Sequence, residues 1–351
     1  MTARLEDGPA PAASSAVRLR AKRRPAIIVA VLIALVLLVA GVGIAIGSYS
    51  LTVPDLLRTL VGQGSGVDNL VVFRLRLPRV LLGALVGAAF AIAGGLFQTL
   101  LRNPLASPDI IGVSGGASVA AAFGILVLGL SGAAISLAAF VGAVVVACAI
   151  YLLAWRGGVT GFRFVLVGVG VAFMANAVLG YLITRGEVNE VSQALVWMVG
   201  GLGGAEWGGI LVLALALAVL LPCVAVLAPR LRILQLGDEA AGGLGVGVER
   251  TRLGLILVAV ILVAAGTAFA GPVAFVAFVS APIARRMLRT GGLALVPSAL
   301  VGVLLVLASD LVAQHLLPGA GQVPVGIVTG VVGAPYLLWL LATANREGKG
   351  A

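Results

Sequence analysis

The 351-residue sequence holds two lysines, one histidine and two cysteines, and only 10% of its residues are charged. Each scarcity excludes something. Neither Lys22 nor Lys349 sits in a GxxxxGK[ST] loop, so ATP-driven work would need an ATPase on another polypeptide. Ion-coupled carriers keep ionisable groups inside their spans, and the apolar runs here are almost free of charge. Asp310 lies toward the end of one run, and His315 after it reads as a capping or surface residue rather than a metal ligand. Cys148 and Cys223 sit within apolar runs, where small core positions are expected, with no metal-ligand or disulfide spacing. No nucleophile–base set or metal cluster suggests an enzyme, and the expectation is that the chain itself binds no cofactor and no metal.

What is abundant is apolar surface. Hydrophobic residues make up 61% of the chain, and the mean hydropathy is +1.19. A soluble domain needs a charged surface, whereas repeated apolar runs of about 20 residues mark an all-α polytopic membrane protein. Ten spans are expected near 25–47, 77–101, 112–130, 132–154, 164–184, 208–228, 253–270, 272–288, 293–313 and 323–343. Residues 1–24 read as a disordered basic tail, 25–345 as one membrane domain and 346–351 as a second tail. The first run, Pro25–Gly47, is too long for a signal peptide and reads as a retained helix.

The net charge of +10 would suggest nucleic acid in a soluble protein, but here it reads as a topology signal. With an even number of spans both termini share one side. If that side is the cytoplasm, only Arg58, Arg74, Arg76, Arg79 and Arg185 of the 23 Lys and Arg residues face out, which satisfies the positive-inside rule. The 49 glycines, as in AIAGG at 91–95 and GVGVAF at 168–173, suit tightly packed helices.

Two segments interrupt this pattern. In LFQTLLRNPLASPDIIGVSGGAS, residues 96–118, an apolar run stops at Arg102, passes Pro104 and Pro108 and restarts through Gly112, Gly115 and Gly116. Such a stretch belongs at a membrane edge or against protein or water, since lipid offers it no hydrogen bonds. In 229–252, Asp238 and Glu239 follow Gly237 as acids do at a helix start, Ala240 and Ala241 continue it, and Gly242 and Gly243 break it. The result is either a compact cytoplasmic knob for a partner's groove or an ordinary polar loop.

RLPRVLLGALVGAAFAIAGGLFQTLLRNPLASPDIIGVSGGAS at 76–118 resembles the FecCD/BtuC-type permeases, the membrane subunits of bacterial ABC importers for ferric siderophores, haem and cobalamin. LGDEAAGGLGV at 236–246, AGPVAFVAFVSAPIARRM at 270–287 and QVPVGIVTGVVGAPYLLWLL at 322–341 agree in order and spacing. The resemblance implies the ten-helix type II ABC importer permease fold in a bacterial plasma membrane, working by alternating access. It implies a second permease subunit, two ATP-binding subunits that use ATP and Mg, and an extracytoplasmic substrate-binding protein. By position, Arg76 and Arg79 match the pair that receives acidic groups of the binding protein. Asn103 and Leu105, with Gly161 and Phe162, match the cytoplasmic gate. Gly237, Asp238, Glu239, Ala240, Ala241, Gly242, Leu244 and Gly245 match the segment that couples to the ATPase. Gln314 stands where some members have a third docking arginine. Ala281-Pro282 stands where haem and cobalamin members more often have Pro-His, so the resemblance favours a ferric-siderophore substrate and a heterodimer with a related permease. A homodimer, a cobalamin or haem substrate within the family, and an ion-coupled carrier outside it are the alternatives. Iron would cross inside its chelator.

Overall fold

In a bilayer each main-chain amide must find its partner within the protein, and a helix satisfies this locally. The structure, a computed structural model, describes residues 12–47, 49, 51–109, 111–155, 161–289, 292–315 and 323–347, and all of its regular elements are helical. In chain order they are α1 (Ala12–Ala45), α2 (Val53–Leu60), α3 (Gly66–Asn69), a π-helical turn (Leu70–Arg76) that runs into α4 (Leu77–Leu100), α5 (Val113–Leu126), α6 (Ala133–Ala154), α7 (Gly161–Arg185), α8 (Val188–Val199), α9 (Trp207–Leu234), α10 (Asp238–Gly243), α11 (Val248–Ala270), α12 (Val276–Leu288), α13 (Leu295–His315) and α14 (Val325–Glu347).

The ten expected spans fall on α1, α4, α5, α6, α7, α9, α11, α12, α13 and α14. Helices α1, α4, α6, α7, α9, α11 and α13 are each long and apolar enough to cross a bilayer. Two of the others are short. The 14 residues of α5 and the 13 of α12 rise about 20 Å each, against about 30 Å of hydrocarbon. Irregular backbone leads into both, and it is buried in protein: Ala106, Ser107 and Ile111 before α5, and Val273 before α12. That is the condition under which unwound chain is tolerated at membrane depth.

Helix α4 runs through the middle, with every residue from Ala89 to Thr99 buried. Helices α9, α11, α12 and α13 surround it, while α5, α6 and α7 pack as a second group and α1 lies against α13. Glycine sets these distances. A Cβ on Gly87 would stand 2.6 Å from Gly302 O, and one on Gly94 would collide with Ala277 O. In GVGVAF, Gly168 fills the same role against Ile111 O (2.8 Å), but Gly170 meets nothing within 4 Å.

Three expectations are corrected. Residues 12–24, expected as a disordered tail, form the first turns of α1, where Ala and Arg are good helix formers; residues 1–11 and 348–351 lie outside the described residues. Cys148 and Cys223 are exposed on α6 and α9 rather than buried, because lipid-facing positions also accept small apolar side chains. Residues 272–275, expected within the eighth span, are unwound, and α12 starts after Phe275 in the left-handed region (φ 66°). Helices α2 and α8 were not expected. Both lie between spans, where only caps could announce them, as Thr52 Oγ1 does by accepting from Asp55 N (3.3 Å) at the start of α2.

Candidate functional site

The chemistry gathers at two clefts, one at each end of the bundle. The first, of about 610 Å³, is lined by Tyr49, Arg74, Arg76, Arg79, Glu206 and His315 among others. The π-helical turn positions its arginines: a wider turn rotates the side chains that follow, and such turns recur at functional sites. Arg76 Nη1 donates to Ile44 O (2.7 Å) and Ala45 O (2.9 Å), and its Nη2 donates to Tyr49 O. It thereby caps the end of α1, whose last carbonyls lack helical partners. Arg79 grips Asp310 of α13 with Nε at 3.0 Å from Oδ2 and Nη2 at 2.8 Å from Oδ1. Gln314 Nε2 donates to the same carboxylate at 2.6 Å. The two arginines expected to receive a partner's acidic groups therefore share the cleft, but acceptors of the chain itself already engage them. Arg74 is exposed in the same cleft and makes no ion pair among the described residues. Sequence reasoning did not join Asp310 to Arg79, because no local pattern connects residues 231 apart.

The second cleft, also about 610 Å³, is lined by Leu101, Arg102, Gly161, Gly237, Asp238, Glu239, Ala240 and Arg252 among others. The expected knob exists as α10. Gly237 (φ 116°) enters it and Gly245 (φ 79°) leaves it, both in conformations that favour glycine. Ala241 is fully buried and anchors the knob, whereas Glu239, Ala240, Gly242 and Leu244 are exposed. Asp238 is held by Arg252 Nη2 (3.0 Å), and Arg252 Nη1 also bonds Glu249 (2.8 Å). Leu236 and Leu244 stand on either side of α10 with 68% and 63% of their surface exposed.

The gate residues divide. Asn103 Oδ1 accepts from Leu105 N (2.9 Å) and closes the N-P-L turn, with Asn103 exposed and Leu105 half-buried. Gly161 opens α7 against Leu101, and a Cβ there would stand 3.2 Å from Leu101 Cδ2. The structure thus brings Gly161 and the Gly237–Ala240 stretch into one cleft. Phe162 is 82% exposed and does not line it. Further along the loop, Asp109 Oδ1 accepts from Ser114 Oγ (2.5 Å), while Oδ2 is buried without a partner among the described residues. Burial pushes the Asp109 carboxyl above the usual carboxylate range, against the pull of the Ser114 and Ser107 hydrogen bonds.

Known proteins match this arrangement along its length. Residues 22–343 match the FecCD transport family. The chain is 40% identical over 310 residues to the ferric enterobactin transport system permease FepG of Escherichia coli, covering 88% of this chain and 94% of that one. It is 37% identical over 331 residues to the iron(3+)-hydroxamate import system permease FhuG of Bacillus subtilis, covering 92% and 98%. Among solved structures, an inward-facing conformation of a metal-chelate type ABC transporter superposes with a TM-score of 0.80 at 25% identity, covering 90% of this chain and 99% of that one.

Proposed function

Because this chain belongs to the FecCD transport family, we propose that it is one half of the membrane pathway of a bacterial ATP-driven importer, carrying ferric-siderophore chelates into the cell. It is a multi-pass permease subunit. The relatives named for ferric enterobactin and iron(3+)-hydroxamate favour a chelate of that class as substrate. The observation that carries the reading is the cleft beside α10, where an exposed short helix flanked by bare leucines adjoins the start of α7 and the loop after α4.

In this reading the cleft faces the cytoplasm, as do both termini, and the arginine-lined cleft faces out. Two ATPase subunits, using ATP and Mg, seat α10 of this chain and its counterpart on a second, related permease. ATP binding draws them together, and the two mouths open in turn. A substrate-binding protein docks outside, where the exposed Arg74 suits an acidic surface, beside Arg76 and Arg79, which α1 and Asp310 already engage. The apolar spans offer the chelate few strong ligands, so it passes without being trapped, its iron held by the chelator.

The test is uptake of radioiron-loaded siderophores by cells lacking this chain. The wild-type gene restores uptake, and Glu239→Arg abolishes it without lowering the amount of protein, since Glu239 is exposed and makes no ion pair among the described residues. Unchanged siderophore uptake with lost haem or cobalamin uptake would reassign the substrate. Uptake that survives Glu239→Arg or ATP depletion would overturn the mechanism.

A further inference from the structure

Helix α4 ends with hydrogen bonds from Arg102 N to Thr99 O (3.3 Å) and from Asn103 N to Gln98 O (3.1 Å). This crossed pair closes a helix on one left-handed residue, usually glycine. Here that residue is Arg102, at φ 49°. An L side chain in this conformation costs about 1 kcal/mol, and a chain with 49 glycines does not use one at this point. The side chain must therefore be sought for what it reaches.

It reaches the joint between α9 and α10. Arg102 Nη2 donates to the carbonyl of Leu234, the last residue of α9, at 2.5 Å, and lies 4.0 Å from Oδ1 of Asp238, the first residue of α10. A cation on a terminal carbonyl satisfies a group the helix leaves open and lies favourably at the negative end of its dipole. The Asp238 contact is half exposed on both sides and weak by itself. Its importance is positional, because Asp238 is also tied to Arg252 of α11 (3.0 Å). On one side of Arg102, Leu101 faces Gly161 of α7, close enough that a Cβ there would stand 3.2 Å from Leu101 Cδ2. On the other, Asn103 opens the N-P-L turn. Moving α10 relative to α4 pulls on the backbone between these two contacts.

We propose that Arg102 is a positioning residue, a strut that transmits displacement of α10 to the loop at the inner mouth; this rests on the importer reading above. Without it, ATP hydrolysis and gate movement separate.

The experiment reconstitutes the complete transporter in proteoliposomes and measures chelate transported per ATP hydrolysed. Arg102→Gly removes the strut and relieves the backbone, so its thermal midpoint is at least that of the wild type. It should hydrolyse ATP near the wild-type rate while transport per ATP falls about ten-fold or more, the size of a lost coupling free energy. Arg102→Lys, which keeps the cation, should recover part of the ratio. A wild-type ratio in Arg102→Gly would overturn the strut, as would hydrolysis and transport falling in equal proportion, the mark of a purely structural residue. A wild-type transporter without ATP-dependent uptake would overturn the importer reading itself, and the strut with it.

Discussion

Arg79 on α4 and Asp310 on α13 form a two-pronged ion pair whose side chains are only 14% and 6% exposed. It locks together, at the arginine-lined cleft, two helices that already pack closely through Gly87 and Gly302. Removing one partner leaves an uncompensated charge, so Asp310→Ala should destabilise the purified protein by about 3–5 kcal/mol. Replacing both residues by leucine should recover most of that loss. Thermal unfolding in detergent decides it: a double variant as unstable as the single would show that the pair is not the cause.

Gly94 admits no side chain, because a Cβ there would run into Ala277 O. Gly94→Ala must push α12 from α4 and should cost about 1–3 kcal/mol by overpacking. Gly170→Ala, with nothing within 4 Å, should be neutral or slightly stabilising. Equal unfolding midpoints for the two variants would refute this account of the packing.

The difference between those two glycines shows what the sequence could reveal. Hydropathy found a helix for each of the ten expected spans, seven of them long and apolar enough to cross a bilayer, because the demand for about 20 apolar residues acts on each such segment alone. It overran the start of α12 since Gly271–Phe275 is as apolar as a helix, and only burial against the rest of the fold lets it unwind. The α10 knob was legible from Gly237, Asp238 and Glu239, a purely local signal. The engagement of Arg76 and Arg79 was not. Their partners are main-chain carbonyls of α1 and a carboxylate on α13, which composition cannot pair. Glycine-rich motifs announced close packing but not which glycines take part.

Leu244 is 63% exposed beside α10, on the surface proposed to meet the ATPase. Leu244→Asp should leave the unfolding midpoint unchanged and weaken co-purification of the ATPase subunits about ten-fold or more, as loss of a buried interface anchor does. Undiminished association would exclude this face as the docking surface.

Asp109 supplies a pH dependence. Its folded pKa is raised by burial, so its contribution to stability is complete below the unfolded pKa and is lost as pH rises through the folded value. Asp109→Asn removes the ionisation. The variant should gain stability relative to the wild type at alkaline pH, and the gap should narrow as pH falls. A gap that widens on acidification would show that the carboxylate is stabilised by a partner instead.

Main-chain hydrogen bonds run from Gly201 N to Ala270 O (2.7 Å) and from Gly326 N to Gly200 O (3.1 Å), so the end of α8, the end of α11 and the start of α14 meet backbone to backbone. Side chains of varied length can slip past one another, but amides in register cannot be shifted without breaking. The junction is therefore an anchor: the start of α14 cannot slide along the ends of α8 and α11 without breaking these bonds, and further along the helix Arg286 clasps it over the Trp339 ring (4.2 Å to the ring centre).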